Sequence, residues 1–331
     1  MHNTVINRPV KAFRRSVAAF ILMLLLAVSV AHGQIFVGYL GNAGEFNLDG
    51  TALNASLLYH LPDTAVGKTD VAASGSNLFV SEVNGGAPLL RSFLIDGTGT
   101  IGGGSWLPYA GFIPDGMAAS GSNVFVTDGV RVGEYSASGA TVNASLISGL
   151  SAWSAIAVSG SNLFVAGITT GTVGEFTTSG ETINASLITG LKNPQFLGYN
   201  GPSAIAVSGS NLFVANESAG TIGEYTTSGE TVNAALITGL NGPSGLAIYG
   251  SNLYVANYND GTIGEYTLSG TTVDASLITG LDHPTSVAVV PEPVSCAVFL
   301  GGIAFLLALA VREKQRATTM IPLDVTTDYN G

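Results

Sequence analysis

Between residues 34 and 290 the apolar positions fall in short runs, "LFV", "LYV" or "AIAV", each bounded by Gly, Ser, Asn or Thr. The runs recur in a fixed order. The phrase "GSNLFVANESAGTIGEY" at Gly209 to Tyr225 returns 41 residues later as "GSNLYVANYNDGTIGEY" at Gly250 to Tyr266. Its opening, Gly-Ser-Asn before an apolar run, places its Asn at Asn77, Asn123, Asn162, Asn211 and Asn252, with spacings between 39 and 49. Its close, Gly-Glu-aromatic, falls at Glu45, Glu134, Glu175, Glu224 and Glu265, and Arg91-Ser92-Phe93 is a degenerate copy. One unit contains four runs: strand a at Ser244 to Tyr249, strand b at Asn252 to Asn257, strand c at Thr262 to Thr267 and strand d at Thr271 to Thr279. "GS", "YNDG" and "LSG" supply the turns between them.

Four short antiparallel strands repeated at this period predict an all-β, radially repeated fold, a β-propeller. Strands buried on both faces between stacked blades read as continuous apolar runs, which accounts for "AIAV" and "LFV". The repeats open at Ile35 to Leu40 with a strand-b phrase that lacks its strand a, and end at Thr285 to Val290 with a strand-a phrase that has nothing after it. The last segment is therefore expected to complete the first blade. That makes six blades over residues 34–290, closed by pairing the N- and C-terminal strands so that no edge is left open at the join.

The two ends of the chain carry a different pattern. Arg8, Lys11, Arg14 and Arg15 precede an uncharged apolar run from Val17 to Val28, and Ala31-His32-Gly33 forms a small-x-small site before Gln34. Residues 1–33 read as a secretory signal peptide. Val294 to Val311 is an 18-residue stretch without charge, followed by Arg312, Lys314 and Arg316. As a helix it would be roughly 27 Å long, enough to cross a hydrocarbon layer of ~30 Å with the basic cluster on the cytoplasmic side. The order Pro291-Glu292-Pro293, apolar span, basic cluster over residues 291–316 resembles the PEP-CTERM sorting signal of Gram-negative bacteria. The resemblance implies a transmembrane helix at 294–311, handling by an exosortase-type transpeptidase, and delivery to the envelope or the extracellular polysaccharide matrix. A polar tail, 317–331, follows; left unprocessed, the span would be a C-terminal membrane anchor.

Charge narrows the partners. Residues 34–290 hold 18 acidic and four basic side chains (Lys68, Arg91, Arg131, Lys192), a net of −14, which repels the phosphate backbone of a nucleic acid. The one cysteine, Cys296, lies in the apolar span, so disulfides and cysteine-based sites are excluded from the repeat region.

At "PSGLAIYGSNLYVANYNDGTIGEYTLSG" (Pro243 to Gly270) the repeat resembles the NHL family of six-bladed propellers. Asn stands where that family has Asp after strand b, and the family's Arg is missing. The resemblance implies the fold over roughly residues 35–290 and assigns no catalytic residue. In such a meander the b–c and d–a connections emerge on one face and the a–b and c–d turns on the other. The first set varies in length, at Leu61 to Thr69, Glu82 to Pro88, Leu107 to Pro114 and Leu191 to Pro202. Variable loops on a rigid scaffold are the expected binding surface. Val290 leaves from the opposite face, so the long-loop face is expected to point away from the membrane.

Candidate chemistry on the long-loop face is sparse. His60 and His283, with Asp63, Asp70 and Asp282, are candidate ligands of a divalent metal, the one cofactor the sequence suggests. The competing reading is an ordinary solvated turn at "DHP". Trp106, Tyr109, Phe112, Trp153, Phe196 and Tyr199 cluster in or near the d–a connections, where flat rings suit a carbohydrate or peptide or simply plug the channel. The repeated Glu reads as a solvated or strand-pairing position. The triplets at Asn54, Asn143, Asn184 and Asn216 match a glycosylation sequon and read as strand and turn chemistry. No GxSxG, HExxH or phosphate loop is present. Two functions are consistent with this: a non-catalytic surface or matrix protein binding a glycan or protein, and a metal-assisted envelope lyase or lactonase.

Overall fold

The structure, a computed structural model, describes residues 33–57, 68–84, 87–95, 105–107, 114–138, 140–191 and 201–290. All of them belong to one unit, Met1–Glu292; the second unit, Pro293–Gly331, lies outside them, as do Pro291 and Glu292 and the expected signal peptide before Gly33. Among the described residues no helix is long and apolar enough to cross a membrane.

The strands follow the repeat. In chain order they are β1 (Gln34–Tyr39), β2 (Asn42–Asn47), β3 (Ala52–Asn54), β4 (Asp70–Ser74), β5 (Asn77–Asn84), β6 (Ala87–Leu94), β7 (Ser105–Leu107), β8 (Gly116–Ser120), β9 (Asn123–Thr127), β10 (Gly129–Ser136) and β11 (Thr141–Ser159). Then come β12 (Asn162–Gly167), β13 (Thr172–Thr177), β14 (Thr182–Ile188), β15 (Pro202–Ser208), β16 (Asn211–Asn216), β17 (Thr221–Thr226), β18 (Thr231–Ile237), β19 (Pro243–Tyr249), β20 (Asn252–Asn257), β21 (Thr262–Thr267), β22 (Thr272–Ile278) and β23 (Pro284–Val290). Four sheets have the plain orders β4-β5-β6-β7, β15-β16-β17-β18, β19-β20-β21-β22 and β23-β1-β2-β3. The other two blades share β11, whose first half pairs with β10 and whose second half, from Trp153, pairs with β12. Six blades result. The C-terminal strand β23 lies antiparallel to β1, from Gln34 opposite Val290 to Tyr39 opposite Pro284, and so completes the first blade.

The packing shows why the phrase repeats. Each of the six apolar clusters lies between two neighbouring blades, the last of them joining Tyr254, Ile263 and Ile278 of one blade to Ile35, Phe46 and Val287 of the first. A blade cannot bury its faces alone, and stacking in a ring covers all of them. In the Gly-Glu-aromatic phrase every residue has a structural task. The aromatic ring of Tyr135, Tyr225 or Tyr266 folds back over the glycine two positions earlier, where a Cβ would stand 2.8 Å from ring carbon. The glutamate accepts a hydrogen bond from the amide that opens strand b: Asn123 to Glu134, Asn162 to Glu175 and Asn211 to Glu224 at 2.7 Å, and Asn252 to Glu265 at 2.6 Å. In the first blade Gln34 takes the Asn role toward Glu45 at 2.8 Å. Such charge-assisted bonds contribute about 1.5–3 kcal/mol where desolvated. The repeated glutamate is thus a strand-pairing residue, and its copies at Glu45, Glu175 and Glu265 are buried instead of solvated.

Three of the four sequon-like asparagines lie on the outer strands, directly opposite these glutamates, and the fourth, Asn216, ends β16. Asn54, Asn143 and Asn184 each accept, through Oδ1, the backbone N–H two residues on, at 3.1, 3.0 and 3.0 Å. Asp274 does the same toward Ser276 at 2.8 Å, so the position asks for an Asx oxygen and not for a sequon. Two stretches differ from expectation. Glu82 to Pro88 was expected as a loop, but β5 and β6 continue their ladder to Asn84 opposite Ala87. The third blade passes into the fourth along β11 with no loop, turning at Ala152, which has φ +51.

Glycine sites separate two physical constraints and can be tested against each other. A Cβ on Gly38 would stand 2.3 Å from the Thr69 carbonyl oxygen, whereas one on Gly75 meets nothing within 4 Å and only the φ of +58 opposes it. Gly38→Ala is expected to destabilise by about 3 kcal/mol through backbone displacement. Gly75→Ala should cost about 1 kcal/mol. Urea unfolding of the two variants reads the difference.

Candidate functional site

The innermost strand of every blade is its strand a, and the six of them (β4, β8, the second half of β11, β15, β19 and β23) line a central cavity of about 260 Å³. Its wall is made of small residues at matching positions: Ala72, Ala118, Ala157, Ala206, Ala247 and Ala288. One end is capped by uniform a–b turns of Gly-Ser, where Gly75, Gly121, Gly160, Gly209 and Gly250 have φ between 57 and 60, as a type II′ hairpin requires. The other end, where strands a begin, is the long-loop face.

That end has its own local rule. In four of the six blades the residue before the first alanine or its equivalent is bulged out of the ladder: Ser154, Ser203, Ser244 and Thr285. At Ser203, Ser244 and Thr285 the bulge re-aims the hydroxyl across the seam. Ser203 donates to the Pro243 carbonyl at 2.6 Å, Ser244 to the Pro284 carbonyl at 2.7 Å, and Thr285 to the Thr69 carbonyl at 2.5 Å. A collar of hydroxyls therefore fixes the mouth, consistent with the role of bulges in redirecting side chains. In sequence its signal is the Pro-Ser or Pro-Thr pair in three blades, Pro202-Ser203, Pro243-Ser244 and Pro284-Thr285.

Charge at the mouth breaks the repeat. Where other blades have Gly116, Ala155, Ala204 and Gly245, the second has Asp70 and the first Ser286. Burial pushes the Asp70 carboxyl above the usual carboxylate range; Lys68, a bond from Ser286 and the N–H groups of Val71 and Met117 offset part of this. Asp115 and Glu217 are likewise raised by burial, with the Lys68 charge pulling both down and Asp128 raising Asp115 further. Lys68 donates to the Asp115 carbonyl of the next blade, and Asp128 holds Arg131 at 2.7 Å. Asn216 and Asn257, equivalent positions at the ends of strand b, are buried with Oδ1 atoms that make no hydrogen bond. The mouth is thus a partly desolvated cluster in which the Lys68 charge offsets part of the effect of burial on Asp70, Asp115 and Glu217. Lys68 was legible as one of four basic residues in the repeat region; Asp115 and Glu217 carried no signal that set them apart from solvated acids.

The residues singled out from sequence divide by what is described. Of the metal candidates, Asp70 lies in the channel wall, while His283 sits at the surface with φ +51, its Nδ1 2.6 Å from Asp282 and its ring 4.7 Å from that of Tyr258. His60 and Asp63 lie outside the described residues, and among the described ones no group of three His, Cys, Asp or Glu is placed to hold a metal ion. Of the aromatic candidates, Trp106 is in β7 opposite Arg91, and Trp153 begins the second half of β11 opposite Gly167, at the level of the mouth. Tyr109, Phe112, Phe196 and Tyr199 lie outside the described residues, as does Pro293 of the sorting motif.

No protein-family profile matches the chain, and no curated protein matches it in sequence. Solved structures do. The chain is similar to one from a nidogen/laminin complex, with a TM-score of 0.64 and 15% identity over 78% of this chain and 99% of that one. It is similar to a streptogramin B lyase, TM-score 0.54 and 18% identity over 77% of this chain and 83% of the lyase. A catalytically inactive virginiamycin B lyase from Staphylococcus aureus with quinupristin gives TM-score 0.52 and 18% identity, over 80% of this chain and 94% of that one. The chain is thus an all-β six-bladed propeller by its own sheets, and it shares a fold with these structures. At such identities the likeness extends to the fold, and it brings neither ligand nor catalytic residue.

The buried carboxylates predict a pH dependence with a definite sign. A carboxyl whose folded pKa is raised favours the folded state most when protonated, so its contribution is full below its unfolded pKa of about 3.9 and is lost as pH rises through the folded value. Asp70→Asn keeps the shape and removes this loss. It is expected to raise the melting temperature at pH 7 and to flatten its fall between pH 4 and pH 7, as read by calorimetry across that range.

Proposed function

We propose that this protein is an exported, surface- or matrix-associated propeller that binds a glycan or a protein through its long-loop face and catalyses no reaction. The observation that carries this reading is the asymmetry of the two faces. The a–b turns are near-copies held by one glycine conformation, and so are the c–d turns outside the second blade, where ten residues separate β6 from β7; the opposite face carries most of the connections that differ in length and sequence, around a mouth whose charges depart from the repeat. A duplicated scaffold that varies on one face is varying where it meets its ligand. The export address rests on the basic, apolar and small-residue order of residues 1–33 and on the resemblance of residues 291–316 to a PEP-CTERM signal, which together imply an exosortase-type transpeptidase as processing partner and at least transient membrane contact through 294–311.

Binding is tested on the full chain by surface plasmon resonance against polysaccharide and surface-protein fractions of the producing cell. Trp106→Ala, in β7 next to the long connection 107–114, and Tyr109→Ala, within that connection, are expected to weaken capture about tenfold or more. Ser228→Ala, in a c–d turn, should leave it unchanged; equal capture by all three variants would overturn the assignment of the face. The address is tested separately by mass spectrometry of both termini of the mature chain. It is expected to begin at Gln34 and end near Pro293, and recovery of residues 317–331 on the mature chain would show that the sorting signal is not used.

A further inference from the structure

The ring contains one strand unlike the other five that line the channel. β4, β8, the second half of β11, β15 and β19 each pass through a tight Gly-Ser turn into their own strand b, so each is covalently tied to its partner. β23 is joined to β1 by hydrogen bonds alone, and the chain runs on from Val290 toward its C-terminal segment. Any load on that segment is borne first by β23.

Over residues 286–288 the apolar side chains of β23 specify its register weakly. A slip of two residues would put Val289 in place of Val287, Val290 in place of Ala288 and Ala288 in place of Ser286, a change of little more than two methyl groups there; at the far end it would bring Pro291 and Glu292 to the places of Val289 and the buried Val290. At the mouth end of the strand the polar groups discriminate. Thr285 Oγ1 reaches the carbonyls of Thr69 at 2.5 Å and Gly38 at 3.2 Å. Ser286 Oγ lies 3.2 Å from the same Thr69 carbonyl and accepts the N–H of Val71 at 3.0 Å. Asp70, on the facing strand, shares the Val71 N–H with Ser286, accepting it at 3.0 Å. Gly38 is required beneath them, since a Cβ there would stand 2.5 Å from Ser286 Oγ. A slipped strand would take the Thr285 and Ser286 hydroxyls from the carbonyl of the buried Thr69, and orphaning a buried polar group is costly in a way that exchanging one valine for another is not. Ser286 also stands where two other blades have alanine, Ala155 and Ala204, so packing does not demand a hydroxyl at this position.

We propose that β23 is a releasable strap, that the Thr285, Ser286 and Asp70 clasp fixes its register, and that its departure from β1 is the ring's lowest opening. Local openings of this kind appear in native-state hydrogen exchange as a contiguous set of amides that exchange together. The test is exchange on the full chain, followed by mass spectrometry, comparing wild type with Thr285→Val/Ser286→Ala. The expected result is acceleration of about tenfold or more confined to residues 34–39 and 284–290, with residues 202–216 unchanged. Ser203→Ala removes a hydroxyl from a different seam and should leave 34–39 and 284–290 at wild-type rates. Ser286→Ala alone introduces a residue that other blades already carry there; it should show the same pattern more weakly, and it serves as the reading if the double variant does not fold. Uniform acceleration in all blades, or no change at residues 34–39 and 284–290, would overturn the proposal.

Discussion

Everything in this fold depends on the last strand finding the first. Joining residues 34 and 290 closes a loop of the whole repeat region, an entropic cost of about 5 kcal/mol on the (3/2)RT ln n scaling. Against it stand the β23 ladder and two apolar clusters that exist only when the ring is shut, those packing the first blade against its neighbours through Ile35, Phe36, Val37, Phe46, Val287 and Ala288. Each such side chain, fully buried, contributes roughly 1.5–3 kcal/mol. Burial wins by a wide margin, and the N- and C-terminal blade halves are stable as parts of one blade because the seams on both sides need them.

Closure also decides which residues are left for function. A residue repeated in every blade is consumed by the blade: the glutamate by the strand-b amide, the glycine before it by the aromatic ring, the outer Asx oxygen by the bulge it caps. Net charge follows the same division. Five of the 18 acids in the repeat region are these structural glutamates, so the large negative balance is in part a by-product of duplication. Chemistry particular to this protein has to come from positions where the copies disagree, and at the mouth these are Lys68, Asp70, Asp115, Glu217 and Ser286.

How much could be read from the sequence follows from the range of the forces involved. Blade number, strand phrases and closure were legible because they are set by local turn chemistry and apolar runs, and the incomplete phrases at Ile35 and Thr285 announced their own pairing. The extension of β5 and β6 past Glu82 was not, because ladder length beyond the turn signal depends on what the neighbouring strand offers. Nor was the burial of Asp70: as a single acid after Lys68 and Thr69 it reads as a solvated loop residue, and only the facing Ser286, 216 positions away, makes it a wall residue. Of the proposed metal set, His60 and Asp63 lie outside the described residues, and the other two lie in different surroundings. His283 lies at the tip of a d–a connection with φ +51, facing Asp282 and Tyr258 at the surface, while Asp70 is turned into the channel.

Strand direction then ties the two ends of the channel to different tasks. Every strand a runs from the variable face to the turn face, so the same geometry that puts the Ser and Thr bulges at the mouth puts Val290 at the far end, beside the buried Gly33. Chain entry and chain exit therefore share the face of the uniform a–b turns, and the d–a connections are free of both. A scaffold attached at its chain ends gains nothing from variation there, because the turns near the attachment have only to be tight. Selection for a ligand can act on the opposite face without disturbing closure, since the hydroxyl collar at the mouth is held by backbone carbonyls and not by the loops above it.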